Sequence, residues 1–566
     1  MINIFLFSFF ASIYLFCAGI FFYTKKDNEN DGIYISIFFG ACILSFIAVF
    51  LNFFVSLNPT INTILFVTVT IIGFVLIFKK EIFYKLIKCC ILIALISTLI
   101  LYFDTIYRPD ANLYHLPYTR IINDNKIIFG ISNVHFRFGH VSILQYLNAI
   151  FNNILFKEKG ILIPAAVIFS STVLYFYDEI IHNISKNKIY SYYVFLLLAY
   201  TLFGYNRYSE FGNDTIAHLF FLIISSYFLK TDFKKDVNAQ EFIKISILSL
   251  FCFMSKTGLI FVFFIPLYIL IFNFRKEYLL NYLNIFILII ALSWFAKNII
   301  TSGCFIYPIE ITCLETLQWF SNDSNYLISA QAQSLDNEAW TKGWVNYNGA
   351  QVSQEYYVKN FFWLKTWFSI HGLLIIKKLS IFIFILTIIN FYLKKIETND
   401  NLVEIKLDKK IVFLFFLSLF CTLMWFLRFP IFRYGSSYIV VLIICIYTIF
   451  AIKNRLIEKN IQKLTKYLKI LLIIFFTLFS LKHTLRIYKN YNHSLVNDPW
   501  PKFPKTKDTT SVSETKKIND TFAYYLHKQN LNYDGCGYIL SPCTPYLVKN
   551  VKLKEMYGYK FYYLDK

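Results

Sequence analysis

The residue types best suited to chemistry are concentrated in one polar stretch, Asp104–Asn148. It reads DTIYRPDANLYHLPYTRIINDNKIIFGISNVHFRFGHVSILQYLN and combines carboxylates, imidazoles, guanidinium groups and phenols. The stretch directly follows an unbroken hydrophobic run, Ile91–Phe103, which is suited to a membrane span. Ionisable groups at such a site are costly unless they are paired or used. The stretch therefore predicts a functional site at a membrane surface.

Asp110 is the leading candidate for a catalytic base. In DANLYH it precedes a helix expected to begin near Ala111, with Tyr114 and His115 one turn further on. One interpretation is an ordinary N-cap, whose carboxylate accepts backbone N–H bonds. The other is a general base that removes the proton of an acceptor hydroxyl. Asp104 and His115 are the further catalytic candidates, and Tyr114 is a candidate for substrate binding.

A divalent cation is the second chemistry that these aspartates permit. Asp104 and Asp110 could share one, although they are six residues apart and form no compact DxD motif. His135 and His140 are not spaced as a metal motif, so we predict no metal ligand among the histidines. No cofactor is otherwise indicated.

Further candidates for substrate binding lie in short polar segments along the chain. They are Asn133, His135, Arg137, Asn213, Asp214, Lys256, Arg428 and Arg433. Asn213–Asp214 could equally cap the helix that follows, and Lys256 could merely extend its ammonium group to the membrane surface. Arg428 and Arg433 flank a proline turn in RFPIFRYG. A pair of guanidinium groups there suits either phosphate recognition or anchoring to lipid headgroups.

The composition assigns the chain to the membrane proteins. Of its 566 residues, 57% are hydrophobic, and the mean hydropathy is +0.53. Runs such as Ile2–Tyr23, Ile33–Val55 and Leu279–Ile300 reach the roughly 20 residues that cross a bilayer as a helix. The net charge of +21 resides mostly in lysine clusters between such runs. These clusters are typical of topology signals and contacts with anionic lipid, so we predict no nucleic-acid partner.

Lysine placement also predicts the side of the membrane on which each loop lies, because short loops rich in Lys and Arg stay in the cytoplasm. The result is about fourteen spans with both termini outside. Four polar stretches then share the outer side, namely Asp104–His140, Asn206–Asp214, Thr301–Gly372 and Arg428–Tyr434. Within the first of them, Leu113–Ile122 and Val141–Phe156 have the apolar spacing of helices that lie along the interface.

We therefore predict an all-α membrane protein, a polytopic helical bundle in three parts. The parts are N-terminal transmembrane helices at 1–85, a transmembrane core at 86–485 with outer loops 104–160 and 301–372, and an extracytoplasmic tail at 486–566. The tail reads as a linker followed by a small domain. It holds Cys536 and Cys543 in DGCGYILSPCTPY, where we expect a disulfide because disulfides persist outside the cytoplasm.

Four motifs together carry a family resemblance. They are DANLYHLP…GISNVHFRFGH, the GCFIYP stretch at Gly303–Pro308, RFPIFRYG and the terminal DGCGYILSPCTPY. This array resembles a group of bacterial multi-pass proteins that is similar to the GT-C glycosyltransferase superfamily, in outline the protein mannosyltransferases and the lipid A aminoarabinose transferases. The resemblance runs from about Leu101 to the end of the chain and leaves the first three spans outside.

The resemblance implies an inverting transferase of the bacterial inner membrane, active on its extracytoplasmic face. Its partners would be a polyprenyl-phosphate-linked sugar donor, the lipid bilayer and a glycan, lipid or protein acceptor. The catalytic base of the superfamily is an acidic residue in the first outer loop, a role that falls on Asp110, with Asp104 as second choice. Since these two acids are further apart than the superfamily's paired acids, metal dependence stays open.

Two other classes of function compete with this interpretation. A transporter or flippase of lipid-linked saccharide would place ionisable residues deep inside several spans, whereas the hydrophobic runs here are nearly free of Asp and Glu. A non-catalytic envelope protein would instead use the Trp-rich 301–372 loop as a binding surface and would bury Asp110 away from any cavity.

Overall fold

The computed structural model of the chain describes residues 1–23, 31–79, 82–104, 110–205, 214–231, 239–320, 330–344, 353–394, 407–456, 461–493, 499–501, 513–518, 521–527, 536–538, 541–545 and 551–564. Helices dominate this part of the chain, as expected where apolar segments must satisfy their own backbone hydrogen bonds.

Twenty α-helices lie in the described residues, and the first ten precede residue 256. They are α1 (Ile2–Gly19), α2 (Asp31–Asn52), α3 (Pro59–Lys79), α4 (Phe83–Leu101), α5 (Leu116–Asp124), α6 (Ile143–Ile150), α7 (Ile163–Asn183), α8 (Lys188–Gly204), α9 (Asp214–Lys230) and α10 (Ala239–Ser255). The others are α11 (Phe264–Phe272), α12 (Lys276–Leu280), α13 (Tyr282–Ser302), α14 (Ala330–Thr341), α15 (Gln354–Lys359), α16 (Trp363–Trp367), α17 (Leu373–Lys394), α18 (Lys409–Arg428), α19 (Phe432–Lys453) and α20 (Ile461–His493).

Ten helical segments in the described residues are long and apolar enough to cross a membrane, so the chain is a multi-pass membrane protein. The other four predicted spans correspond to shorter helices. Three of these, α8, α9 and α10, have 17 residues each, which at 1.5 Å per residue gives about 26 Å. The fourth corresponds to the short apolar helical segment Thr257–Phe272.

Burial separates a central layer of helices from a peripheral one. Nearly all side chains of α7, α8 and α9 are buried, whereas α3 and α20 expose most of their apolar side chains to the surroundings. In the centre, α1 and α2 approach so closely that a Cβ at Gly40 would lie 1.7 Å from the Leu15 carbonyl oxygen. Small residues permit such contact between helices in a bilayer.

The two helices predicted to lie along the interface are instead packed inside the protein. Every residue of α6 is buried, and α5 leaves only Arg120 half-buried and Asp124 exposed. A capping box between Ser142 and Gln145 fixes the start of α6. The expectation was wrong on this point because amphipathic spacing shows that one helix face is apolar but not what covers the other.

The 301–372 segment is shorter as a loop than predicted. The span expected to begin at Leu373 already begins at Trp363, because α16 continues into α17 through a π-helical turn at Phe368–Gly372. Near the start of the segment, Cys304 and Cys313 form a disulfide that the sequence analysis did not predict.

The tail forms short strands rather than helices. They are β1 (Ser513–Ile518), β2 (Thr521–His527), β3 (Cys543–Thr544), β4 (Val551–Met556) and β5 (Tyr559–Leu564). β1 pairs antiparallel with β2, β2 pairs parallel with β3, and β4 and β5 form an antiparallel hairpin in which Val551 faces Leu564. The expected disulfide joins Cys536 to Cys543, the first residue of β3.

The tail packs on the 104–160 segment. Tyr538 donates its hydroxyl hydrogen to Asn123 Oδ1 at 2.6 Å and accepts one from Asn152 Nδ2 at 2.7 Å. Phe129 stacks on Phe561 with ring centroids 4.1 Å apart. The end of the bundle that carries the 104–160 segment is therefore covered by the tail strands.

Candidate functional site

Asp110 lies between two arginines that reach it from distant parts of the chain. Arg433 Nη1 donates to Asp110 Oδ2 at 2.9 Å, and Arg137 Nη1 donates to Asp110 Oδ1 at 3.3 Å. Asp110 precedes a π-helical turn at 111–115, Arg137 lies in a 3₁₀ turn at 136–139, and Arg433 lies in the first turn of α19. Each carboxylate oxygen therefore has its own guanidinium group.

A second ion pair continues from Arg433. The Lys256 ammonium group contacts Asp214 Oδ1 and also donates to the Arg433 carbonyl oxygen at 2.9 Å. Arg433 Nε lies 4.0 Å from Asp214 Oδ2, so the guanidinium group faces both carboxylates. We refer to Asp110, Arg137, Asp214, Lys256 and Arg433 as the charged cluster.

His218 fixes α19 against α9 at the charged cluster. Its Nε2 lies 2.7 Å from the Arg433 carbonyl oxygen, and its Nδ1 lies 2.8 Å from Ser437 Oγ. Because a carbonyl can only accept, Nε2 carries the hydrogen, and Nδ1 of a neutral ring accepts from Ser437. The sequence analysis missed this residue, although it follows Asp214 by one helical turn.

Aromatic rings cover the cations of the charged cluster. The Tyr434 ring lies 4.3 Å from Lys256 Nζ and 5.1 Å from the Arg433 guanidinium carbon. Trp340 reaches over from α14, with its ring 5.6 Å from the same guanidinium carbon, and is 44% exposed. Cations are attracted to such ring faces. Trp340, which the sequence analysis did not single out, thus brings the 330–341 helix to the site.

Tyr114 and His115 lie in the π-helical turn that follows Asp110. The Tyr114 ring lies 5.1 Å from the Arg137 guanidinium carbon. His115 is buried against Gln145, with Nδ1 3.3 Å from Gln145 Nε2. Burial lowers the pKa of His115 to about 4, so its ring is neutral at neutral pH. His115 is therefore a buried, neutral neighbour of Asp110 rather than a charged one.

Asn133 and His135 support the loop that presents Arg137. His135 Nδ1 accepts the Arg137 backbone N–H at 3.1 Å, and burial together with Arg137 lowers the His135 pKa to about 3. Asn133 donates to the carbonyl oxygens of Trp319 at 2.8 Å and Tyr562 at 2.9 Å. These contacts join the loop to the 301–372 segment and to the tail, and the structure places neither side chain on Asp110.

Arg428 and Asp104 pair outside the charged cluster. Arg428 is 66% exposed and contacts Glu338 at 3.3 Å, while Lys342 contacts the other oxygen of Glu338 at 2.6 Å. Asp104 pairs with Arg486 of α20 at 3.1 Å. Within the described residues, no group of three or more potential metal ligands is formed. Asn213, the remaining candidate, lies outside the described residues.

The Gly303–Pro308 stretch, one of the four motifs that carry the resemblance, contacts the loop of Arg137. The Tyr307 ring centroid lies 5.0 Å from that of His140. A Cβ at Gly139 would lie 2.6 Å from the Tyr307 ring, so the two segments are in close contact.

Electrostatics keep Asp110 ionised. Burial alone would raise its pKa, but the charges of Arg433 and Arg137 outweigh burial and hold the pKa below the ordinary value of 3.8. Three cations face two carboxylates in the charged cluster. In the described part of the chain, Arg433 Nε has no hydrogen-bond acceptor, and Arg137 is 34% exposed. The arrangement can therefore hold an anionic group next to a carboxylate that accepts a proton.

These features define a helical multi-pass membrane protein with an ion-paired, partly exposed site at one end of its bundle. The chain belongs to the family described as domain of unknown function DUF8201, whose model matches residues 1–440. The match includes the first three spans and every residue of the charged cluster, and it ends before α20 and the tail strands. No curated protein and no solved structure matches the chain.

Proposed function

We propose that this protein is a GT-C-like inverting glycosyltransferase. It moves a sugar from a polyprenyl-phosphate donor to a cell-envelope acceptor on the extracytoplasmic face of the bacterial inner membrane. The ten long helices and the four shorter ones would together make fourteen crossings. The observation that carries the proposal is Asp110, a carboxylate held between the guanidinium groups of Arg433 and Arg137.

The charged cluster suits a single displacement at the anomeric carbon of the donor. The acceptor oxygen bonds to that carbon, the bond from carbon to the phosphate oxygen breaks, and its electron pair stays on the leaving phosphate. Arg433, Arg137 and Lys256 stabilise the negative charge that develops there. Asp110 takes the proton of the acceptor hydroxyl.

The ion pairs of Asp110 also couple donor binding to the activation of the base. While Arg433 and Arg137 contact Asp110, its pKa is held low and it is a weak base. A phosphate that takes over the guanidinium groups removes part of that stabilisation, because each group then shares its charge between two anions. The pKa of Asp110 rises, and the carboxylate becomes a better base once donor is bound.

An apolar groove offers a place for the isoprenoid chain of the donor. The groove has a volume of about 270 Å³ and lies between α2, α10 and α13. Phe50 and Ile289 line it and are about half exposed, so it opens toward the lipid. Met254, which also lines it, lies two residues before Lys256 of the charged cluster. A chain in this groove would have its phosphate directed to the charged cluster.

Lys297 strengthens the case for an anionic lipid in the groove. It is fully buried in α13, and its Nζ lies 3.6 Å from the ring centroid of Trp294, a residue that lines the groove. No carboxylate among the described residues lies within ion-pair distance of it, and its ammonium group contacts this ring and the Val141 carbonyl oxygen at 3.5 Å. A buried ammonium group of this kind calls for a counter-charge.

A flippase of lipid-linked saccharide is the second candidate, and Lys297 is the observation that favours it. A buried cation within a span is typical of a pathway for charged substrates. A flippase would need the groove and Lys297, but it would not need Asp110 as a base.

The test is a deletion strain whose surface glycans are compared by mass spectrometry after complementation. We expect deletion to remove one defined sugar from the glycans, and the native chain to restore it. Asp110→Asn and Arg433→Ala should fail to restore it. Arg428→Ala, on the other side of the same proline turn, is the matched control and should restore it.

Protein amount and thermal unfolding are measured for each variant, so that loss of fold is separated from loss of transfer. Restoration by both Asp110→Asn and Arg433→Ala would overturn the proposed roles. A flippase is indicated instead if Asp110→Asn is active and deletion causes complete lipid-linked saccharide to accumulate on the cytoplasmic side.

A further inference from the structure

A second cavity lies at the end of the bundle on which the tail packs. It is bounded by the α2–α3 turn, the end of α5 and the β4–β5 hairpin. Its volume is about 410 Å³. The residues that matter to its chemistry are Phe54, Asn58, Ile61, Asn125, Lys126 and Lys560. None of the charged cluster lines it, and nothing in the proposed transfer reaction uses it.

Two lysines line this cavity, and their closest polar or aromatic contacts in the described residues are not carboxylates. Lys126 Nζ lies 3.9 Å from the Tyr559 ring centroid, and Lys560 Nζ donates to Asn125 Oδ1 at 3.2 Å. In the described part of the chain neither lysine has an ion pair. The carboxylate of Asp124, which also lines the cavity, is engaged by Arg120 at 2.7 Å. Among the described residues that line the cavity, two lysines thus stand against one carboxylate, which is already paired.

The cavity is held open by its own framework rather than by loose surface side chains. Tyr559 donates its hydroxyl hydrogen to the Phe53 carbonyl oxygen at 2.8 Å, which ties the hairpin to the end of α2. Gly558 has φ +72, and a Cβ there would lie 3.1 Å from Lys126 Nζ. The glycine thus leaves room for the ammonium group beside the hairpin turn.

The other wall of the cavity is apolar and belongs to the lipid-facing surface. Phe54 is 61% exposed, and Ile64, one turn beyond Ile61 on α3, is 59% exposed. α3 is a membrane-spanning candidate with most of its surface unburied. The cavity therefore lies where apolar side chains that face lipid meet lysines, which is the level of lipid headgroups.

We propose that this cavity binds the phosphate-bearing headgroup of an anionic membrane lipid. Lys126 and Lys560 hold the phosphate, Asn58 and Asn125 offer amide groups to the polar part of the headgroup, and the acyl chains lie along Phe54 and α3. The tail hairpin supplies one of the two cations, so bound lipid also secures the tail on the bundle. This site does not depend on the proposed glycosyl transfer.

The test uses the purified full-length chain in detergent, with bound lipid counted by native mass spectrometry. Phosphatidylglycerol and phosphatidylcholine are titrated separately, and inorganic phosphate is added as a competitor. Near a membrane each lysine strengthens the binding of anionic lipid about fivefold. We therefore expect Lys126→Ala with Lys560→Ala to weaken phosphatidylglycerol binding about twentyfold, with little change for phosphatidylcholine.

The matched control is Lys359→Ala with Lys365→Ala, which removes the same charge from exposed positions of α15 and α16 and should bind phosphatidylglycerol as the native chain does. Lys126→Arg with Lys560→Arg keeps the charge and should retain most of the binding. This variant still tests the role of charge if the alanine variant does not fold. Equal binding of the two lipids by the native chain would overturn the proposal. Displacement of the lipid by millimolar inorganic phosphate would show that the cavity binds free phosphate rather than a lipid headgroup, and would overturn the proposal.

Discussion

Helix α9 carries an ion pair at each of its ends, and the two ends differ in burial and in where the partners lie along the chain. At the Lys230 end, Glu179 is fully buried and pairs with Lys230 at 2.6 Å. Its other oxygen accepts hydrogen bonds from Tyr190 at 2.7 Å and Asn183 at 2.9 Å. Both oxygens of this buried carboxylate therefore have partners among the described residues.

At the Asp214 end, the described residues of the charged cluster are three cations and two carboxylates, and the cluster is partly exposed. The side chain of Asp110 is 23% exposed and that of Arg137 34%. Its members come from loops and helix ends that are far apart in the chain, whereas Glu179 and its partners come from the consecutive helices α7, α8 and α9. The comparison teaches that a fully buried ion pair joins neighbouring helices, whereas a partly exposed group of ion pairs can be reached by a ligand.

The largest effect that we expect is a loss of unfolding free energy when the ion pair at the Lys230 end is broken. Glu179→Ala leaves Lys230 and Tyr190 without their buried partner. Breaking a buried pair costs about 3–5 kcal/mol, and because Lys230 is 25% exposed we expect about 3 kcal/mol of unfolding free energy to be lost. Thermal and denaturant unfolding in detergent measure this loss, and transfer activity per folded molecule should be unchanged.

The same unfolding experiment on Asp110→Asn provides the contrast. We expect a loss of about 1 kcal/mol, because the pair is partly exposed and solvent screens it. If Asp110→Asn were as destabilising as Glu179→Ala, the charged cluster would be a structural ion pair like the one at the Lys230 end.

The next effect concerns Lys256, which bridges Asp214 and the Arg433 carbonyl oxygen. Lys256→Ala removes a cation proposed to face the donor phosphate, and a charge-assisted hydrogen bond is worth about tenfold or more in binding. We expect the KM for donor to rise about tenfold with a smaller change in kcat. Lys256→Arg, which keeps the charge, should recover most of the loss. Steady-state kinetics with a purified lipid-linked donor measure both values, and an unchanged KM would remove Lys256 from the donor site.

Much of the fold could be predicted because the bilayer selects long apolar helices. Helical segments lie at all the expected span positions, and all five members of the charged cluster were candidates, because polar residues at span ends are few. The sequence could not predict which of these residues form ion pairs with each other. Arg428 and Arg433 look equivalent on either side of Pro430, yet only Arg433 contacts Asp110, because the turn sends one residue to the end of α18 and the other into α19.

The features that were missed have weak or misleading local signals. His218 lies in an apolar run and resembles a core residue, and Trp340 belongs to a segment without clear periodicity. The β4–β5 hairpin did carry a signal. Tyr557 and Gly558 form its two-residue turn with φ +51 and +72, and glycine at the second position is typical of such turns. Alternation in the flanking strands would have predicted it.

A smaller effect is expected in the pH dependence of transfer. Because Arg433 and Arg137 lower the pKa of Asp110, its ion pairs are complete above the ordinary value of 3.8 and are lost as pH falls through the lower, folded value. The acid limb of kcat/KM should therefore lie below the ordinary carboxyl range. In Arg137→Gln one of the two cations is absent, and the limb should move to higher pH.

The acid limb of the pH profile of kcat tests the proposed coupling between donor binding and the pKa of Asp110. Since the bound phosphate draws the guanidinium groups away from Asp110, the acid limb of kcat should lie at higher pH than that of kcat/KM. Full pH profiles of both constants measure this difference, with the fold monitored by tryptophan fluorescence at each pH. Coincident limbs would show that the donor does not engage the arginines that hold Asp110.

The smallest effect that we expect is that of replacing Trp340. This residue of α14 places an aromatic ring over the charged cluster. Its ring lies over Arg433 and is partly exposed. A cation–π contact at such a position contributes about 0.5–1 kcal/mol. Trp340→Leu should therefore raise the KM for donor about two- to fivefold without changing kcat, and Trp340→Phe, which keeps a ring, should change it less. If instead kcat fell and the KM stayed constant in Trp340→Leu, α14 would act on the reacting groups themselves. The cover would then belong to the chemistry of the site, and the contrast with the closed pair at the other end of α9 would be sharper still.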